Sequence, residues 1–211
     1  MNILNFFTFK KFIILLPVFF CFQQLAAQKP AINLEAERSQ VKVLTNDYQS
    51  TKFYYTIEGL DFVNVETKEG DYTELILSEG YSVGELGSPK LPASKKLIEI
   101  PFGADIEVKV IDYTTEEYKL SDFEIKNPLM PVQPSLRKDH NREDIPFRYK
   151  PEYYSKKSYI EPELANVEVL GVMRGMRIGR LTVAPVQYNP GNETIKVYNN
   201  LEVEIQYSGA D

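Results

Sequence analysis

The chain has 211 residues, with 24 Lys and Arg against 30 Asp and Glu and a net charge of −6. An acidic balance of this kind argues against a general nucleic-acid binder, whose footprint is a basic face. The length allows one sizeable domain with its own core, and a single cysteine excludes an intramolecular disulfide framework. Tyrosine (14) and phenylalanine (12) are plentiful, tryptophan is absent, and 13 prolines argue against long helices.

Residues 1–28 read as a signal peptide. Lys10 and Lys11 precede the apolar run Phe12–Phe22, far short of the roughly 20 apolar residues that a spanning helix needs. Small residues at Ala26 and Ala27 place the expected cleavage after Ala27 or Gln28. Cys21 lies inside the apolar run without the small residues that precede a lipidated cysteine, so no lipid anchor and no stable membrane insertion after cleavage are expected. Residues 29–40 are polar and expected to be loosely held.

From Val41 the hydrophobic period is two. Val41 and Val43, Phe53–Ile57, Phe62–Val65 and Tyr72–Leu77 are rich in strand formers, with Gly59, Gly70-Asp71 and Gly80 as turns. In Gly84-Glu-Leu-Gly-Ser-Pro-Lys-Leu-Pro92 the glycines allow positive φ and the prolines remove ladder donors, which keeps the stretch out of a sheet interior. Leu97, Ile98 and Ile100 predict the next strand, closed by Pro101 and Gly103. Ile106–Ile111 alternates as another, and Tyr118–Ile125 is a weaker strand candidate.

The middle changes character. Pro128, Pro131, Pro134, Pro146, Pro151 and Pro162 punctuate residues 127–162, and Ser135–Asp144 carries almost nothing apolar. This predicts a long surface excursion within the domain of residues 41–208, with Phe147, Tyr149, Tyr153, Tyr154 and Tyr159 pinning its second half. Near the C-terminus, a three-residue loop Tyr198-Asn199-Asn200 would pair Val197 with Leu201 and Ile195 with Val203, with Asn200 left-handed. Arg174, Arg177 and Arg180 fall in a strand-like segment and read as sheet-face residues. The whole predicts an all-β fold, two antiparallel sheets packed as a sandwich.

Two blocks carry a resemblance. Gly87-x-Pro89-x-Leu-Pro92 followed by Ile98-x-Ile-Pro-x-Gly103 is the first. Val169–Gly175, Ile178–Pro185, Gln187–Pro190 and Leu201–Ile205 form the second. In this order they resemble the propeptide domain of gingipain-type cysteine peptidases, over roughly residues 50 to 207. The resemblance implies a β-sandwich that assists folding of such a peptidase and keeps it latent, in cis or in trans. A basic residue on a loop would block the pocket that selects Arg or Lys.

The residues themselves show no catalytic machinery. Nucleophilic catalysis needs an activated thiol or hydroxyl, yet Cys21 leaves with the leader and the single histidine, His140, sits in a charged loop. Asp139, His140, Glu143 and Asp144 read as a solvated stretch rather than a metal cluster, and Gly171-x-x-x-Gly175-x-x-x-Gly179 is neither a phosphate loop nor a dinucleotide fingerprint. The expectation is a non-enzyme without cofactor or metal. The loop of residues 135–150 offers Arg137, Lys138, Arg142 and Arg148, and Arg137, Lys138 and Arg142 are the candidates for the pocket-filling residue. No basic residue follows Lys196, so no Arg or Lys junction for propeptide release is visible. Three accounts stay open: the front part of a peptidase precursor, a free-standing inhibitor or chaperone of one, and a secreted adhesion or surface-binding sandwich. An exposed platform of Tyr149, Tyr153 and Tyr154 would favour the last.

Overall fold

The structure is a computed structural model, described here for residues 31–34, 40–136, 138–139, 141 and 145–209. The expected signal peptide lies outside the described residues. Among the described residues twelve strands follow one another: β1 (Ala31–Asn33), β2 (Gln40–Asn46), β3 (Ser50–Thr56), β4 (Gly59–Thr67), β5 (Gly70–Ile76) and β6 (Tyr81–Val83). Then come β7 (Leu91–Ile100), β8 (Asp105–Lys119), β9 (Ala165–Met173), β10 (Met176–Val183), β11 (Val186–Asn189) and β12 (Thr194–Ser208). A 3-10 turn at Leu120–Phe123 and a single helical turn, α1 (Pro151–Tyr154), are the helical pieces among the described residues.

The fold is an all-β antiparallel sandwich. One sheet runs β11-β12-β3-β2, with β8 along the other edge of β12; a second runs β6-β7-β10-β9; β1-β4-β5 form a third, smaller one. β12 is the spine. Its first half pairs with β11, its second half with β3, and its opposite edge follows β8 from Thr194–Lys119 to Ser208–Asp105. Alternation decides which way it faces: Ile195, Val197, Leu201, Val203 and Ile205 are buried, and each such side chain contributes about 1.5–3 kcal/mol. Glu204 on the other face pairs with Lys52 at 3.4 Å, and Lys196 with Glu117 at 3.3 Å. Residues of all three sheets, among them Phe62, Leu75, Ile100, Leu181 and Tyr55, join one continuous core.

Several expectations change in detail. There is no hairpin at Tyr198–Asn200; the strand runs straight through, and its hairpin partner is β11, joined by a turn at 190–193. Asn200 does take the left-handed conformation, with φ +53, but as part of a bulge where the β8 register shifts. The Asn199 side chain fills the gap. It accepts from the Ile57 amide at 3.0 Å and donates to the Ile57 carbonyl at 3.3 Å. The weaker strand candidate splits: Tyr118 ends β8, and Leu120–Phe123 winds into the 3-10 turn with Glu124 left-handed behind it. β8 also runs on through polar residues 112–117, because β12 supplies a hydrogen-bond ladder there without requiring burial.

Pro92 lies within β7 opposite Ser82 of β6, before β10 joins at Ser94, an edge position of the kind where proline is tolerated. Within the segment expected to be loosely held, Ala31–Asn33 form β1 against β4, drawn in by Ile32, which enters the core. Arg174 is not on a sheet face. With Gly175 it forms the two-residue turn between Met173 and Met176, both turn residues at positive φ, as a type I′ hairpin requires.

Candidate functional site

The long excursion is tied down at its root by backbone pairing. Thr73 donates to the Pro128 carbonyl and accepts from the Met130 amide, at 2.9 and 2.8 Å. Lys90 donates to Met130, Val132 to Ser88, and Gly87 to Val132. The Gly87 carbonyl then accepts from the Lys150 amide at 2.9 Å, so the outgoing and returning arms meet on the turn that holds Gly87 and Pro89. Gly87 has φ +84, and a Cβ there would sit 3.0 Å from Lys150 Cγ and 3.2 Å from its amide nitrogen. Only glycine lets the chain pass this close.

One side chain closes the neck. Gln133 Nε2 donates to the Arg148 carbonyl at 2.8 Å, while its Oε1 accepts from the Arg148 amide at 3.0 Å. The amide thereby imitates a strand pair across the base of residues 134–147. Nothing in the sequence pattern marks Gln133 for this role, whereas Gly87 and the prolines around it mark a turn. Above the neck, Leu136, Ile145 and Phe147 line a cavity of about 540 Å³ against Glu66–Glu69 of the β4–β5 turn, and Phe147 packs on Tyr72 with ring centres 5.6 Å apart.

Of the three candidate pocket-filling residues, Lys138 is described. Lys138 is exposed and lies in a turn with Asp139. Arg137 and Arg142 lie outside the described residues, as do His140, Glu143 and Asp144. Arg148, fourth of the basic set, is exposed, with its backbone held at the neck. Among the described residues, no group of three or more His, Cys, Asp or Glu is arranged to hold a metal ion.

Behind the neck the returning arm is anchored by aromatics. Tyr154 stacks on Tyr149 at 4.5 Å and donates its hydroxyl to the Leu129 carbonyl at 2.7 Å. Burial pushes the Tyr154 hydroxyl pKa well up, so it stays a donor. Tyr153 lies between Lys150 and Lys156, whose ammonium groups sit 5.5 and 4.5 Å from its ring centre. Lys150 also bridges to Glu85 at 2.9 Å; that hydrogen bond, then one from Tyr153, lowers the Glu85 carboxyl. Tyr159 shares a hydrogen bond with Thr194 at 3.2 Å. Tyr149 is exposed, Tyr154 turns its hydroxyl inward onto the Leu129 carbonyl, and Tyr153 stands half-exposed among Lys150, Lys156 and Glu85, so the three rings do not form one open platform. The arrangement is a hydrogen-bonded base from which the segment of residues 134–147 departs and to which it returns.

The family model Propeptide_C25 matches residues 33–210. Lys-gingipain of Porphyromonas gingivalis is 37% identical over 187 residues, which is 89% of this chain and 11% of that protein. Gingipain R2 of the same species is 24% identical over 168 residues, 79% of this chain and 22% of the relative. The chain thus spans about a tenth of Lys-gingipain. Among solved structures, one from a study of the zymogenic latency of gingipain K of Porphyromonas gingivalis superimposes with TM-score 0.79 at 36% identity. It covers 87% of this chain and 100% of that one. A complex of RgpB pro- and mature domains, also from Porphyromonas gingivalis, shares the fold with TM-score 0.67 at 23% identity, over 81% and 85% of the two chains.

Proposed function

The chain belongs to the Propeptide_C25 family of gingipain propeptides, and from that premise we propose that it is an exported prodomain that holds a gingipain-like cysteine peptidase latent. The peptidase stands in cis, as part of one precursor, or in trans. Folding assistance to that peptidase belongs to the same reading, as does export by residues 1–28. The observation that carries it is the loop of residues 134–147, clamped at its neck by Gln133 and Arg148 and braced by Gly87. A loop that fills a specificity pocket without being cut has to be held against relaxing into a cleavable conformation, and a pinned neck does this.

The pocket-filling residue is drawn from Arg137, Lys138 and Arg142. A flat ammonium- or guanidinium-selective pocket takes one long basic side chain, and the surrounding surface supplies the remaining affinity. Zymogenic latency is the subject of the gingipain K structure that this chain resembles, and a pro–mature complex is what the RgpB structure contains. The test is a titration of the purified chain against mature Lys-gingipain and gingipain R, followed with Lys and Arg substrates. Saturable inhibition is expected, and alanine at the residue that enters the pocket should raise Ki by roughly 100-fold, a hot-spot loss. A folded chain that inhibits neither peptidase overturns the reading.

A further inference from the structure

The β9–β10 hairpin projects from the domain and, apart from Glu168 and the turn residue Arg174, is apolar where it meets solvent. Val169, Leu170, Val172, Met173 and Met176 are 39% to 63% exposed, within eight consecutive positions. Around Gly171 and Gly175, no atom lies within 4 Å of where a side chain would begin, so the hairpin end stands clear of the body. Opposed residues share a face and neighbours alternate, which puts Val172 on one face and Met173 with Met176 on the other. Val172 shares its face with Arg177 opposite it, whose guanidinium turns to the Pro101 and Ala104 carbonyls, so each face of the arm carries exposed apolar side chains. Over the two faces together, five such side chains expose an area on the order of 400 Å², within the range of the largest apolar patch on a typical monomer, which is often functional.

We propose that this arm is a second docking element for the peptidase domain, seated in an apolar cleft of that domain and separate from the basic loop. The proposal rests on the prodomain reading above. Two observations select the occupant. Ser208 pairs with Asp105, and Arg177 at the base of the arm donates to the neighbouring Ala104 carbonyl at 2.8 Å and to Pro101 at 2.9 Å. In any longer form of this polypeptide, the segment after Ser208 departs beside the arm. The matching stretch is 11% of Lys-gingipain and 22% of gingipain R2, so those relatives hold other domains in the same chain. The second observation bears on self-pairing: the β9 edge carries a bulge at Leu170–Gly171, where the register against Ile178 and Gly179 shifts. Such a bulge guards an edge against pairing with a second copy.

The loop and the arm lie at opposite ends of the molecule. The returning arm of the excursion packs beside Leu120 and Glu193, whereas Asp105 and Ser208 end the same two strands at the other side, about 45 Å away at 3.3 Å per residue. The loop then sets specificity and the arm adds affinity.

The experiment measures binding and inhibition separately, with mature Lys-gingipain and gingipain R as probes. The variants are Val172→Glu with Met173→Glu, Val172→Thr with Met173→Gln, and Lys138→Ala. Both arm pairs are expected to leave Tm unchanged and to weaken binding, roughly 30-fold for the charged pair and roughly tenfold for the neutral pair. Unchanged binding by both arm pairs, with the wild-type chain still inhibiting, overturns the arm while the prodomain reading stands, whichever basic residue fills the pocket. A wild-type chain that sediments as a dimer and becomes monomeric in the arm variants, with peptidase binding unaffected, overturns it in favour of self-association. A wild-type chain that binds neither peptidase overturns the arm together with the reading beneath it.

Discussion

At Gly87 a methyl group would meet Lys150 Cγ at 3.0 Å in a backbone region that L-residues rarely enter. Gly87→Ala is therefore expected to destabilise the domain by about 1–3 kcal/mol, read as a lower urea midpoint. Inhibition should suffer more than stability, because the Gly87–Lys150 bond positions the returning arm. A second residue-scale case is Glu79. Burial raises its carboxyl, but hydrogen bonds from Lys96 and Ser94 overcome this and hold it below its ordinary 4.5. A carboxyl depressed in the folded state contributes stability above its unfolded value, and that contribution disappears as pH falls through the folded value. Thermal melts of wild type and Glu79→Gln should thus differ at neutral pH, with wild type higher, and converge as pH drops below about 4.5. A difference that does not change with pH from neutral downward would mean that Glu79 acts through packing.

At the scale of elements, β12 shows what a sequence pattern can and cannot convey. Its alternation was legible from Ile195 to Ile205, and so was the left-handed Asn200. The hairpin drawn there was not real, because a bulge and a tight loop both use Asn at positive φ and both restore the same apolar face. What separates them is the partner across the sheet, β3 and β8, more than 80 residues away and invisible to local periodicity. The bulge depends on Asn199, whose side chain satisfies both backbone groups of the fully buried Ile57. Asn199→Ala should cost about 2–3 kcal/mol, since it leaves a donor and an acceptor unpaired. Hydrogen exchange should locate the loss at Ile57 and its neighbours. Asn199→Asp, which keeps the acceptor and loses the donor, should retain part of the stability. Equal losses in both variants would assign the effect to the strand rather than to the Ile57 contacts.

The whole molecule separates a scaffold from a presented loop, and this division sets how much of the site could be read in advance. The prolines and the polar run between Ser135 and Asp144 announce an excursion, and the aromatics after Phe147 announce its anchoring, because composition alone distinguishes loop from core. The neck did not show, since a glutamine that imitates a strand pair has no spacing of its own. That neck makes a strong test possible. Gln133 and Arg148 are already bonded across the base, so their chain ends can be joined by a short turn without moving either arm. Replacing residues 135–146 with Gly-Gly should leave the Thr73–Met130 and Gly87–Lys150 bonds in place, and the shorter loop lowers the closure entropy slightly. The shortened chain is expected to keep its near-ultraviolet spectrum and to melt within about 3 °C of wild type, a change of about 1 kcal/mol. Peptidase inhibition should fall to background while residual binding through the arm persists. If the shortened chain unfolds, the excursion is part of the core and the division between scaffold and loop fails. If it folds and still inhibits with the wild-type Ki, the basic residues at 137, 138 and 142 do not fill the pocket, and latency is imposed by another surface of the sandwich.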